Sequence, residues 1–414
     1  MGDTTVFDLC VSLNVWPSEG VAASREGLSV SGNATARLAQ ILTGRGPYDA
    51  ARVPDVSVIL PVYNAGKYLV PCLVSVLGQS IGPDAMEVIA VDDASTDGST
   101  QILGTFAASY PNLRVVHRTE NSGTPSVPRN EAMDLARGRW LYMMDADDLL
   151  DPVALEELVK AGDDNDTDVV MAKQVGVGRG AATSPYGKTM PRTDVYHSKA
   201  YNSMRAQHLY RRSLVEEHGL RFPSELRTGE DGLFHSPALI CASAISIMCD
   251  RTYLYVLRRD DAGNITSRVG PQIGRLTEIM LEDIAARVPA GPQRDFLHAR
   301  RFNSAVFELG WRAAVKTKDP ELREELLTKA SELLHRWYTP GIARRVNLER
   351  RVFFELLIRG HTDLAIEQAK IGFQVGTRQA EPPSEVHDNG TVYLPYIGFR
   401  DPTLGIPDEV YARA

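Results

Sequence analysis

Cysteine is scarce. There are 4 in 414 residues, at Cys10, Cys72, Cys241 and Cys249, and no CxxC pair. That count and spacing exclude a disulfide scaffold and a structural zinc site, and fit reduced thiols in a cytoplasm. Cys241 and Cys249 stand among apolar residues and read as small buried hydrophobes. Positive charge is not in excess: Lys and Arg total 45 against 53 Asp and Glu, for a formal net charge of -8. A protein that coats nucleic acid is excluded on that balance, although a local basic patch is not. Long hydrophobic runs are also missing. The most apolar stretch, residues 237–249, is too short to cross a bilayer and reads as a helix end followed by a core strand. The start, Met1-Gly2-Asp3-Thr4, lacks the basic region of a signal peptide, and Val6 stands where myristoylation needs a hydroxyl. The expectation is a cytoplasmic protein without a membrane span. Hydrophobic residues at 43% and charged residues at 24% exclude dominant disorder, and the length calls for two or three modules.

Four segments follow from the pattern: an N-terminal extension over 1–54, an α/β domain over 55–270, a helical domain over 271–373 and an extended tail over 374–414. The apolar, β-branched run 56–62 predicts a buried strand. Further strands are predicted at 87–91, 113–116, 140–144 and 168–171, with helices over 68–79, from 97–99, over 129–136 and from Asp151-Pro152. Alternating strands and helices imply a mostly parallel sheet covered on both faces. Residues 174–191, rich in Gly and polar side chains, read as a loop or hairpin region. Strands at 207–211 and 252–257 and helices at 213–218 and 232–239 complete this half. Leu322, Leu326, Ala330, Leu333 and Trp337 mark one face of an amphipathic helix, and with no clean repeat period a short helical bundle is predicted. In the tail, Asn389-Gly390 marks a turn, and Tyr396, Ile397 and Phe399 are its anchors.

Three acidic turns carry the chemistry. Tyr142-Met143-Met144 ends abruptly in Asp145-Ala146-Asp147-Asp148. Ligands in parallel sheets bind beyond the carboxyl ends of strands, and alternate residues of an extended chain share a side. Asp145 and Asp147 can therefore converge on one hard divalent cation, Mg²⁺ or Mn²⁺. The plainer alternative is a solvated turn, with Asp148 capping the next helix. Val91-Asp92-Asp93-Ala94-Ser95-Thr96-Asp97 is a second such turn, which either contacts a nucleoside or caps a helix through Ser95 or Asp97. In Gly229-Glu230-Asp231 the acids open a helix, either to accept a proton or to complement the helix dipole.

The ordered set resembles the family 2 glycosyltransferases of the GT-A type. It comprises Val58-Ile59-Leu60-Pro61-Val62-Tyr63-Asn64, the turn from Val91 to Ser99, Glu120-Asn121-Ser122-Gly123, Pro128-Arg129-Asn130, Met144 to Asp148, and Gly229-Glu230-Asp231. The resemblance spans about residues 55–270 and implies a GT-A (Rossmann-like) fold, a nucleotide-diphosphate sugar donor and inversion at the anomeric carbon. It implies UDP-glucose, UDP-galactose or UDP-N-acetylglucosamine as donor and a hydroxyl as acceptor. Pro61 and Tyr63 would line the base pocket and Asp92 would contact uracil or ribose. Asn121 and Arg129 would lie near base and diphosphate, Asp147 would hold the metal, and Asp145 would touch the ribose or the metal shell. Asp231 would be the base, with Glu230 beside it.

Arg205, His208 and Tyr210 lie on or beside a strand leading toward Asp231, where Arg205 and His208 are candidates for the acceptor side. The stretch from Arg258 to Ser267 resembles the family's mobile loop, with Arg258, Arg259, Thr266 and Ser267 as lid candidates and Arg259 placed to close over the diphosphate. The Gln-x-x-Arg-Trp signature of membrane synthases is absent; the nearest string, Leu333 to Trp337, reads as helix core. A nucleotidyltransferase would need a Gly-rich loop where Tyr63-Asn64-Ala65-Gly66-Lys67 stands, and a catalytically silent scaffold would not need all of Asp145, Asp147 and Asp231. For the acceptor, a natural product, a carrier-linked substrate and a phosphate-rich wall polymer all remain open, the last on the arginine pairs 300–301, 344–345 and 350–351. Of the aromatic residues Phe302, Phe307, Trp311, Phe353 and Phe354, some are expected to pack on the catalytic domain and some to form a homodimer interface.

Overall fold

The computed structural model describes residues 48, 49, 51–226, 228–257, 272–376, 382, 384–387 and 389–413. Most of the 1–54 extension and all four lid candidates, Arg258, Arg259, Thr266 and Ser267, lie outside these residues. The chain divides into two compact units, Met1–Ser267 and Arg268–Ala414.

In the first unit the elements run β1 (Val56–Val62), α1 (Leu69–Leu77), β2 (Met86–Asp92), α2 (Ser99–Ser109), β3 (Leu113–His117), α3 (Ser126–Leu135) and β4 (Trp140–Met143). There follow β5 (Leu149–Leu150), α4 (Ala154–Asp164), β6 (Val169–Ala172), β7 (Gln174–Val177), β8 (Met190–Thr193), β9 (Leu209–Arg211), α5 (Arg212–Glu217), α6 (Glu230–Cys241), β10 (Ile245–Met248) and β11 (Leu254–Leu257). Eight strands form one sheet in the order β3-β2-β1-β4-β9-β6-β10-β8. β1 pairs in parallel with β2 and with β4, in register from Val56 opposite Met86 and Trp140. Nearly every side chain of β1 and β2 is buried, as expected of strands covered on both faces. β9 enters antiparallel between β4 and β6, and β8 closes the edge antiparallel to β10. A small second sheet, β5-β11-β7, lies in the same unit, and Asp145 to Asp148 fall between β4 and β5.

Several boundaries move for identifiable reasons. α3 starts at Ser126, three residues ahead of the expected Arg129, because Pro128 is accommodated in a first turn. α4 starts at Ala154; Asp151 accepts the Val153 N–H at 3.2 Å and so acts ahead of the helix, not at its cap. The 174–191 stretch holds two strands, β7 and β8. Cys241 and Cys249 are only partly buried, which corrects their reading as core hydrophobes; Cys72 is the buried one.

The second unit is helical: α7 (Ile273–Arg287), α8 (Pro292–Arg301), α9 (Phe307–Trp311), α10 (Pro320–Trp337), α11 (Pro340–Ala343), α12 (Leu348–Ile358) and α13 (Thr362–Gly376). Asp319 caps α10 by accepting the Glu321 N–H at 3.0 Å, ahead of Pro320 at the first position. The short pair β12 (Glu385–Val386) and β13 (Val392–Tyr393) is joined through the predicted Asn389-Gly390 turn, with Gly390 at φ 78°. Tyr396 is buried, and Ile397 and Phe399 pack on the same core, as the tail pattern suggested. Phe302, Phe307, Phe353 and Phe354 are buried in this core and Trp311 packs against it. They are used inside their own unit, so they do not supply the apolar face proposed for a second copy. Among the described residues, no helix is long and apolar enough to cross a membrane.

Candidate active site

The carboxyl ends of β1, β2 and β4 lie side by side, and the turns leaving them build the site. The first two turns are latched together. The Asn64 N–H donates to Ser95 Oγ at 3.0 Å and Thr96 N–H donates to Asn64 Oδ1 at 2.8 Å. Asn64 and Ala94 both take left-handed backbone, at φ 46° and 59°, a conformation that costs an alanine about 1–2 kcal/mol. Between these turns Tyr63 is 48% exposed, presenting an aromatic face at the strand end.

Asp92 and Asp93 point inward. Asp92 accepts from the Ser95 N–H at 3.1 Å and the Thr100 hydroxyl at 2.6 Å, and lies 3.1 Å from His117 Nδ1. Burial would raise its carboxyl; the bonds from Ser95, Thr100 and His117 outweigh burial and hold it below its usual range. Asp93 accepts from Ser122 N and Oγ and from Asn121 Nδ2, and pairs with Arg118 at 2.8 Å. Asn121 is thus tied to the second acidic turn. Asp97 accepts from the Ser99 N–H at 3.1 Å, while Gly98, at φ 93°, takes the cap position of α2.

The third turn is the most charged. Asp145, Asp147 and Asp148 bring carboxylate oxygens within 4.8 Å of one another. Asp145 receives Arg129 Nη2 on Oδ1 at 2.7 Å and Gln207 Nε2 on Oδ2. Burial would raise Asp145; Arg129, Arg205 and the bond from Gln207 keep it low. Asp148, 1% exposed, accepts the Leu257 N–H at 3.0 Å and faces Arg205 Nη2 at 3.4 Å. It belongs to the turn and to β11, which corrects its reading as a helix cap. Burial and the charges of Asp147 and Asp145 push its carboxyl well up. Three crowded carboxylates form an oxygen donor set that suits a hard divalent cation. Beneath the turn, Cys72 Sγ donates to the Asp145 carbonyl at 3.5 Å.

One buried arginine joins this turn to the third acidic motif. Arg129, on α3, donates through Nη1 to Asp231 Oδ1 at 2.8 Å and to Glu230 Oε1 at 3.1 Å, while Nη2 holds Asp145. Glu230 and Asp231 open α6 behind Gly229, which takes φ 84°. Burial and the neighbouring Asp231 charge push Glu230 up to about 7, against the pull of Arg129. The structure therefore brings together Arg129, Asp145, Asp147, Arg205, Glu230 and Asp231.

His208 is not among them. It is wholly buried, its ring 5.0 Å from that of His235, and burial holds both histidines well below their usual range. A side chain enclosed in this way cannot meet an acceptor, which corrects its candidacy. Its neighbour Gln207 was missed. Gln207 Oε1 accepts from Arg205 Nε at 3.0 Å while Nε2 serves Asp145. The signal lay in the alternation: residues 205 and 207 share a side that residue 208 does not.

Residues 57–221 match the model of Glycosyl transferase family 2, and residues 273–369 match that of the Glycosyl transferase TarS linker domain. Residues 57–221 are thus a family 2 glycosyltransferase domain, of GT-A fold. Among its relatives is the poly(ribitol-phosphate) beta-glucosyltransferase of Bacillus spizizenii, 31% identical over 291 residues, which cover 68% of this chain and 45% of that protein. Another is the poly(ribitol-phosphate) beta-N-acetylglucosaminyltransferase TarS of Staphylococcus aureus, 33% identical over 217 residues, or 52% of this chain and 38% of that one. The chain thus spans less than half the length of these curated relatives. The crystal structure of S. aureus TarS 1-349 in complex with UDP-GlcNAc superimposes with a TM-score of 0.73 at 25% identity, over 83% of this chain and 97% of that one. The nucleotidyltransferase alternative loses its ground to these matches.

Proposed function

We propose that this protein transfers glucose or N-acetylglucosamine from its UDP-sugar to a hydroxyl of a poly(ribitol phosphate) wall polymer, with inversion, in the cytoplasm. The observation that carries the reading is Arg129, bonded at once to Asp145 of the acidic turn and to Asp231 at the start of α6. The substrates for which these relatives are named support the polymer as acceptor. Residues 55–270 form the catalytic domain, 271–373 a helical domain and 374–414 its tail.

Tyr63 stacks on the uracil beside Pro61. Asp147, with Asp145 and Asp148, would hold Mg²⁺ or Mn²⁺, which would supply charge to offset that on the leaving diphosphate. Arg129 adds a fixed positive charge nearby. Asp231 takes the proton of the acceptor hydroxyl. That oxygen bonds to the anomeric carbon as the bond to the diphosphate breaks, and UDP departs from the opposite face.

The test is to incubate the protein with poly(ribitol phosphate), Mn²⁺ and each UDP-sugar, and to read the anomeric coupling of the product by proton NMR. A β-linked product is expected. Asp147→Ala should nearly abolish transfer while the circular dichroism spectrum is unchanged, and EDTA should do the same to the wild type. An α-linked product, or full activity in EDTA, overturns the reading.

A further inference from the structure

Arg129 is supported on the side away from the carboxylates. Its guanidinium carbon lies 4.9 Å from the centroid of the Phe222 ring. Phe222 follows α5, is 1% exposed, and stacks on Phe234 of α6 with centroids 4.2 Å apart and planes 9° from parallel. Asn130, the next residue on α3, grips the same loop residue by its main chain. Asn130 Nδ2 donates to the Phe222 carbonyl at 2.8 Å, and the Phe222 N–H donates to Asn130 Oδ1 at 3.0 Å. The loop is pinned a second time where the Thr124 hydroxyl donates to the Leu226 carbonyl at 2.8 Å. A guanidinium resting on an aromatic face keeps its in-plane N–H groups for carboxylates, which is how Arg129 uses Nη1 and Nη2.

We infer that Phe222 and Asn130 are positioning residues that hold Arg129 across Asp145 and the Glu230–Asp231 pair, and through it align the proton acceptor. The inference rests on the reading of Asp231 as the base. It also gives Asn130, the last residue of the Pro128-Arg129-Asn130 motif, a task of its own. A leucine at 222 would fill much of the space but offer no π face, and the guanidinium would be free to leave the plane that serves both carboxylates.

A guanidinium free to leave that plane no longer holds the proton acceptor in line. In Phe222→Leu and in Asn130→Ala, kcat of the folded enzyme should therefore fall about 3–10-fold, with donor KM changed less than about twofold, since the lost alignment concerns the transition state. The double variant should cost about as much as the worse single one. A packing residue alone would lower the melting temperature and leave kcat of the folded enzyme unchanged, so an unchanged kcat in the folded variants overturns the inference. Should Phe222→Leu fail to fold, Asn130→Ala at its part-exposed position carries the same test. Asp231→Asn assayed alongside separates the two levels. Loss of turnover there with unchanged kcat in the positioning variants sinks only the positioning role, whereas near-normal turnover in Asp231→Asn sinks the base assignment itself.

Discussion

Arg129 offers one positive charge to three carboxylates, those of Asp145, Glu230 and Asp231. Burial, and after it the charge of Asp231, push the Glu230 carboxyl up from an ordinary value of 4.5 to about 7. A carboxyl that binds its proton more tightly in the folded protein makes the native state the better proton acceptor between about 4.5 and about 7. Raising the pH through that window therefore removes stability, and Glu230→Gln, which cannot ionise, should escape the loss. Melting curves should show the variant gaining on the wild type as pH rises through the window; a constant difference would refute the assignment. Tyr63 makes the matching test of the donor pocket. Its half-exposed ring has no core to fill, so Tyr63→Ala should leave the melting temperature nearly unchanged. It should weaken UDP binding by about 1–2 kcal/mol in calorimetry, the size of a base–aromatic stack.

At the scale of elements, packing is tightest where small residues admit rings. Gly310 of α9 faces Phe353 of α12 so closely that a Cβ at 310 would overlap three ring carbons. Gly310→Ala should destabilise the helical unit by about 1–3 kcal/mol in spite of alanine's better helix propensity, measurable by denaturant unfolding. What could be read from the sequence divides by range. The runs behind β1, β2 and β4 announce themselves because parallel strands buried on both faces must be continuously apolar. The direction of β9 does not, since an apolar run looks the same whether it pairs parallel to β4 or, as here, antiparallel. The same holds at the site. Asp145 and Asp147 were legible because they are neighbours after a strand, and Glu230-Asp231 because they open a helix. Asp148 is settled by Leu257, 109 positions away, and Arg129 by the ring of Phe222 on a distant loop. Such partners leave no period in the sequence.

Over the whole molecule, two sets of residues make two cores, one around β1, β2 and β4 and one among α7 to α13. Every residue assigned here to donor, metal or base that the structure describes lies in the first unit. UDP with Mn²⁺ binds the native state alone and should raise the melting temperature of that unit by mass action. Scanning calorimetry with and without the ligand should show a shift confined to one part of the unfolding profile; a uniform shift of the entire profile would count against two separate cores. The three described cysteines all lie in the first unit and differ in their cover. Cys72 is sealed below the acidic turn, where burial and the charges of Asp148, Asp147 and Asp145 push its thiol well up and leave almost no thiolate. Cys241 and Cys249 are partly open. A maleimide added to the native protein would reach those two first and Cys72 only once the sheet has come apart, so the slow step of labelling is a built-in clock for the opening of the catalytic unit.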